Sequence, residues 1–400
     1  METRKICFLY HPRLRAFIRL RIFLRLARFS ISQQYPTNTE ILTIMTQSTR
    51  VLIVGAGPTG LTAAIELARR GIMPVVIEKR KTASNLSRAV GILPNSMDIL
   101  TPSGAAKAIR KEAVIIQSSV FHNQDKQVSS IKMNGLRGLN KRLYALPQDR
   151  TEYHLLKVFR ELGGKVNYGA EFLSLSQSDN EVSVSILGKA FRFDYVIGAD
   201  GVNSTVREAL RIPYEGFDLP ETWSIADVDA KVWRNPRSFS IFLLKDGNVA
   251  VTVPLDKERF RVVATSKDAL AALPIPMIVE KIRRSGTFKV SIRQAKTYQL
   301  GRAFLAGDAA HCHSPVGGRG MNLGIADAAE LAECIANGTT KNYTAIRHPL
   351  GKKAIQMSER MRKAVTTTSF TKRFILMRLL KLFARVPSLR RRFVANTLDL

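Results

Sequence analysis

A chain of 400 residues that is 45% hydrophobic and 24% charged is long and apolar enough for a two-domain enzyme. Its three cysteines, Cys7, Cys312 and Cys334, are scattered and odd in number; this argues against a disulfide framework and a cysteine-based metal site, and suits a reducing, cytoplasmic setting. The net charge of +30 gathers at the ends, with nine Lys/Arg against two acids in residues 1–50 and thirteen against two in residues 351–400. Such ends could bind an anionic membrane surface or nucleic acid, or simply be solvated; the charge describes the termini more than the catalytic body, and no nucleic-acid partner is expected.

In chain order, residues 1–44 come first as a basic extension. Phe17, Leu20, Leu24 and Ala27 recur on one helical face, with Arg15, Arg19, Arg21 and Arg25 mainly elsewhere. No apolar run there reaches the roughly 18 residues of a membrane span. An Arg-rich targeting peptide and an interfacial helix are possible readings. The preferred one is an upstream extension outside the fold, because Met45 stands just before the first strand as a natural start.

Val51–Val54 is a short β-branched run that predicts a buried parallel strand. It leads into Gly55-Ala56-Gly57-Pro58-Thr59-Gly60, a helical stretch Leu61–Arg70 closed by Gly71, and a second strand 74–77 ending in Glu78 and Lys79. Gly55 permits the tight turn. Gly57 clears the way for a pyrophosphate, and Gly60 lets helix and strand approach. The helix N-terminus offers free N–H groups to phosphates, and Glu78 can accept from ribose hydroxyls. The glycine pattern is weak evidence by itself. In this strand–loop–helix–strand–acid context it predicts a dinucleotide site.

Two later segments repeat the strand-to-acid pattern. Tyr195–Gly198 runs into Ala199-Asp200-Gly201 and a helix carrying Arg207. Ala303–Ala306 runs into Gly307-Asp308-Ala309-Ala310-His311, then Ser314-Pro315-Val316-Gly317-Gly318-Arg319-Gly320-Met321-Asn322 and an Ala/Leu-rich helix through Leu331.

With these three ordered motifs the chain resembles the class A flavoprotein monooxygenases, the para-hydroxybenzoate hydroxylase-like family, over residues 50–345. The resemblance implies an α/β fold with a Rossmann-type FAD-binding domain of parallel sheet and helices, a mixed β-sheet substrate domain and a C-terminal helical segment. The expected boundaries are 48–115, 144–212 and 292–345 for the discontinuous FAD-binding domain, 116–143 and 213–291 for the substrate domain, and 346–400 for the basic C-terminal segment. It assigns FAD to Gly55, Gly57, Pro58, Thr59, Gly60, Glu78 and Lys79 at the ADP half, with Arg88 and Gln148 also contacting the cofactor. Asp200 falls near the pyrophosphate and Gly307-Asp308 at the ribityl chain. Pro315 and Gly318 shape the loop, and Gly320, Met321 and Asn322 present backbone N–H groups to the flavin N1 and C2 carbonyl. A helix N-terminus there stabilises an anionic reduced flavin. The chain departs from the family at Ser314, where a second proline is common, and at Arg319, where glutamine or lysine is common.

The segments Ser238–Leu244, Asn248–Val253 and Phe260–Ala264 alternate and predict a meander. Trp223, Trp233, Phe239 and Phe242 either line a pocket on it or are core. His311 and His313 lack a third ligand, so no metal is expected. Phe370–Arg385 predicts a basic amphipathic helix, with Ile375, Leu376, Leu379, Leu382 and Phe383 facing one way; it packs on the body or contacts a membrane peripherally.

The function implied is hydroxylation of an aromatic or similar electron-rich small molecule using FAD, NAD(P)H as a transient donor and O2, through a flavin C4a-hydroperoxide. A flavin reductase or dehydrogenase acting on a lipid-like substrate and a non-catalytic FAD-binding protein are the alternatives. The sequence assigns no substrate acid or base and leaves open the substrate, the choice of nicotinamide and the oligomeric state.

Overall fold

The computed structural model describes residues 50–83, 89–133 and 141–399. The chain divides between Ile44 and Met45 into two units, and the described residues all belong to the second. The helix expected near Phe17–Ala27 and the cofactor contact expected of Arg88 lie outside the described residues.

Strand β1 (Val51–Val54) is buried along its whole length, which puts it inside a sheet rather than at an edge. It runs parallel to β2 (Val75–Glu78), and β2 to β3 (Val166–Tyr168). On its other side lies β4 (Tyr195–Gly198), followed by β5 (Ala303–Leu305), both parallel. Only the two-residue edge strand Gln299–Leu300 is antiparallel. The register sets Val54 level with Gly198 and Gly198 level with Leu305. The loops carrying Gly55, Asp200 and Asp308 therefore leave one edge of the sheet side by side, the position where open α/β sheets bind ligands. Helix α1 (Pro58–Ala68) follows β1, and α2 (Gln148–Glu161) precedes β3. Helix α3 (Gly320–Ala336) returns from the Gly-Asp segment against α1.

The second sheet has seven strands, in the order Lys281–Phe288, Trp223–Asp229, Arg259–Ala264, Val249–Pro254, Ser238–Leu243, Ser118–Asn123 and Lys126–Lys132. It is mixed because Ser238–Leu243 runs parallel to Ser118–Asn123 while the other pairs are antiparallel. Strand alternation gives it two apolar faces. Phe242, Phe260, Val262 and Trp233 pack on one. On the other, Val253 and Leu255 pack with Val90, Leu93 and Leu143, and Phe239 and Val251 lie against that cluster.

Three helices end the described chain: α4 (Tyr343–Val365), α5 (Phe370–Arg385) and α6 (Pro387–Leu398). Leu380, Val394 and Leu398 are buried in the cluster between the domains, with Leu376, Phe383 and Phe393 partly buried beside them. The expected amphipathic helix forms over the expected residues, but its faces need correction. Leu376 and Phe383 point inward with Leu380, whereas Ile375, Leu379 and Leu382 are exposed. Apolar residues occur all around this helix, and docking against the body chose the side with the tighter fit.

Candidate cofactor site

Two glycines in the first loop answer to protein contacts and one to open space. Gly55 has φ +107°, and a Cβ there would lie 2.3 Å from the Ala199 carbonyl oxygen. A Cβ on Gly60 would lie 2.0 Å from the Gly55 carbonyl oxygen, so α1 can approach β1 only through glycine. Gly57 meets nothing within 4 Å, and its φ of −78° suits any residue. Its missing side chain therefore serves no packing need and leaves room for a ligand beside the helix N-terminus.

Glu78 closes the other side of this loop. It is buried and accepts from the Ala56 N–H at 3.1 Å and from the Arg80 N–H at 3.0 Å. The Arg80 guanidinium grips both carboxylate oxygens at 3.0 Å. Burial alone would raise the Glu78 pKa, but the bonds from Arg80 and the Ala56 backbone hold it below the usual carboxylate range. Lys79 is exposed, so the partner of Glu78 is Arg80, which sequence reasoning missed. Alternation was the available signal, since position 80 lies on the same side as 78 in an extended chain.

The other motifs converge here by direct contact. Thr59 fills the notch left by two glycines: a Cβ on Gly307 would lie 2.5 Å from its Oγ1, and one on Gly324 of α3 would lie 2.3 Å away. Asp200 accepts from the Val206 N–H at 3.1 Å through Oδ2. Its Oδ1 is buried with no partner among the described residues, and burial raises its pKa. Arg207 ties this segment to the next by donating to the carbonyls of Ala309 at 3.0 Å and Val202 at 2.9 Å. Its guanidinium also covers the Tyr214 ring at 3.8 Å, and the Tyr214 hydroxyl donates to the Asp308 carbonyl at 2.9 Å.

Asp308 itself is exposed, and its Oδ1 lies 3.9 Å from the place a Gly320 Cβ would take, at the start of α3. The first backbone donor of this helix with an intrahelical acceptor is Leu323, bonded to Arg319 at 2.9 Å. The N–H groups of Gly320, Met321 and Asn322 thus have no acceptor among the described residues, with the positive dipole end behind them. The Asn322 side chain is used structurally. It accepts from Leu93 N–H at 2.8 Å and donates to the carbonyls of Gly91 and Gly318 at 2.9 Å each. Pro315 and Gly318 are exposed on the intervening loop, where Gly318 has φ +60°.

Beneath the Gly-Asp loop lies a polar cluster that the sequence did not reveal. Asp327 of α3 is fully buried; its Oδ2 accepts from the Gly307 N–H at 3.0 Å and from His311 Nε2 at 2.5 Å. Its Oδ1 accepts from Arg347 Nε at 2.7 Å. Burial pushes its pKa up, but His311 and Arg347 more than offset this and keep it ionised well into acid. His311 is thus a structural donor, and His313 Nδ1 donates to the Ser314 carbonyl at 2.8 Å. Among the described residues no group of three or more His, Cys, Asp or Glu is placed to hold a metal.

Gln148 starts α2. Its Oε1 accepts from the Ala89 N–H at 3.0 Å and its amide donates to Glu152 at 2.9 Å. Burial pushes the Glu152 pKa up to about 7, even though Gln148 and Arg80 oppose the shift. Arg319, just before α3, is buried and donates to the carbonyls of Asn396, at 2.8 Å, and Asp399. The end of α6 is thereby fastened to the glycine-rich loop.

Of the four aromatics considered for the pocket, Trp233 and Phe242 belong to the core on the far face of the sheet. Trp223 packs with Val316, Ile355 and Val365. Phe239 alone lies against strand Gly91–Ile92, its Cζ 3.9 Å from where a Gly91 Cβ would be. Gly91 is bonded to Asn322 in turn, so Phe239 stands next to the start of α3.

The residues fit an FAD. Open space lies at Gly57, the Asp200 oxygen lacks a partner, and the first turn of α3 faces the exposed Asp308. The profile of the FAD binding domain family matches residues 48–358. This chain is a class A FAD-dependent monooxygenase.

It is 30% identical over 350 residues to the uncharacterized aromatic compound monooxygenase YhjG of Bacillus subtilis, covering 79% of this chain and 69% of that protein. It is 30% identical over 312 residues to pentachlorophenol 4-monooxygenase of Sphingobium chlorophenolicum, covering 72% and 58%. Among solved structures, p-nitrophenol 4-monooxygenase PnpA of Pseudomonas putida DLL-E4 superposes with a TM-score of 0.79 at 21% identity, covering 87% of this chain and 98% of that one. That likeness confirms the fold, α/β with a Rossmann-type domain and a mixed sheet.

Proposed function

We propose that this protein hydroxylates an aromatic small molecule, using FAD, NAD(P)H and dioxygen. The observation that carries the reading is the convergence of the three cofactor motifs on one sheet edge, beside a second sheet that turns Phe239 toward the start of α3. Bound FAD supplies the redox chemistry between nicotinamide, oxygen and substrate.

The protein's own residues bind, orient and exclude water. Gly57 and the α1 N-terminus receive the pyrophosphate, Glu78 the adenosine ribose and Asp308 the ribityl hydroxyls. The unsatisfied N–H groups of Gly320–Asn322 bind the pyrimidine edge of the flavin and stabilise negative charge there. The partly buried side chains of Phe239 and Val251, backed by the cluster that contains Val253, keep water from the reacting atoms, and Phe239 offers an aromatic ring a flat surface. The related aromatic compound and pentachlorophenol monooxygenases support an aromatic substrate.

The test is NAD(P)H oxidation and oxygen uptake by FAD-loaded protein against a panel of phenols and polyketide-like aromatics. Substrate-stimulated oxidation with an oxygenated product is expected. Nicotinamide oxidation that reduces an added lipid-like acceptor without consuming oxygen would establish a reductase instead.

A further inference from the structure

Helix α5 keeps a face that nothing in the described protein covers. Phe370 is 82% exposed, Ile375 56%, Phe374 51%, Leu382 43% and Leu379 42%. At 100° per residue these side chains fall within one half-turn, opposite Leu376, Leu380 and Phe383, which are buried or half-buried against the body. The same arc carries Arg378, Lys381 and Arg385, all exposed, and Lys372 lies at its edge. Arg378 lies over the Phe374 ring at 5.0 Å. The adjoining α6 adds exposed Arg391 and Arg392. From Phe370 to Leu398 the chain holds eight Lys/Arg and no Asp or Glu.

We infer that this face lies on an anionic lipid bilayer. The charge pattern selects this occupant. Apposing two copies would set Arg378, Lys381 and Arg385 against their own counterparts with no acid on the face to neutralise them. A bilayer accepts both kinds of side chain at once. The aromatic and aliphatic groups enter the acyl boundary, and the long basic chains reach back to phosphate. Among the described residues no helix is long and apolar enough to cross a membrane, so the contact is interfacial. Leu380 and the cluster beneath it anchor the helix to the enzyme, and Arg373 fixes its start by donating to the carbonyl of Leu244 at 2.5 Å and to Asn123 Oδ1 at 2.7 Å. The face is thus presented rigidly, without the ordering cost of a free peptide.

The inference does not depend on the reaction chemistry, and its test is co-sedimentation of the full FAD-loaded chain with vesicles. Binding is expected to vesicles containing 30% phosphatidylglycerol in phosphatidylcholine, to weaken at least tenfold between 50 and 300 mM salt, and to be absent on phosphatidylcholine alone. Phe374→Ser combined with Ile375→Gln, and separately Arg378→Gln with Lys381→Gln, should each weaken binding at least fivefold while bound flavin and thermal midpoint stay unchanged. Three results overturn the inference: no binding to the anionic vesicles at 50 mM salt, undiminished binding by both double variants together with loss of binding when residues 1–44 are removed, or a dimer of the parent that the double variants convert to monomer.

Discussion

The Asp327→Asn variant examines the buried cluster under the Gly-Asp loop. Among the described residues Asp327 is the carboxylate that pairs with buried Arg347, and it also accepts from His311 and the Gly307 N–H. The amide keeps the shape but removes the charge, leaving a guanidinium in the interior without an anion. Breaking a buried pair in this way costs about 3–5 kcal/mol. For a chain of this length that corresponds to roughly 4–7 °C in Tm. The loop holding Asp308 also loses its charged acceptor, so FAD affinity should fall with stability. The sign with pH follows from the depressed pKa. The carboxylate contributes above the unfolded value near 4 and its contribution is lost as pH falls through the lower folded value, so the variant should lose most at neutral pH and converge on the parent in acid. Thermal unfolding followed by flavin release, from pH 3 to 8, provides the measurement. A variant within 1 °C of the parent at pH 7, with unchanged FAD affinity, would refute the reasoning.

Three further predictions concern the site and its surroundings. Gly57→Ala should fold with a Tm within about 2 °C of the parent apoprotein, since its Cβ meets open space, yet bind FAD at least tenfold more weakly by fluorescence titration; Gly60→Ala, which sets a Cβ against the Gly55 carbonyl, should lower Tm even without cofactor. Glu152 has its folded pKa raised to about 7 from 4.5, so between those values the unfolded chain ionises first and stability falls as pH rises; Glu152→Gln should abolish that slope in denaturant titrations and be the more stable protein at pH 8. Phe239→Ala should change KM and the coupling of oxygen uptake to product with Tm nearly unchanged, whereas Trp233→Ala should cost about 3–5 kcal/mol of stability and leave KM alone; the reverse pattern would place the substrate on the other face of the sheet.

The loops that carry the expected cofactor residues were legible in the sequence because their requirements are local. A glycine whose Cβ would strike Ala199, a helix start and an acid at a strand end each leave a mark within a few residues. The strands behind them were legible because a strand buried on both faces shows as an unbroken apolar run. What stayed hidden depends on partners far apart in the chain. Asp327 is read as one more residue of an Ala-rich helix until Gly307, His311 and Arg347 are brought to it. The choice between Phe239 and Phe242 depends on which face of the sheet meets the other domain, and composition does not carry that. The outward turn of Ile375 and Leu379 has the same origin, because a helix apolar on more than one side takes its orientation from the body it docks on.

The clasp of Arg319 by the carbonyls of Asn396 and Asp399 bears on how the molecule is made. The glycine loop at Gly55 emerges from the ribosome early, but its strand neighbours follow at Tyr195–Gly198 and Ala303–Leu305, and the Arg319 guanidinium meets its acceptors only when α6 has been synthesised. Contacts of such long sequence separation form late. The loop bearing Arg319 therefore gains this clasp only after α6 has been made, and stays without it while the residues between are synthesised.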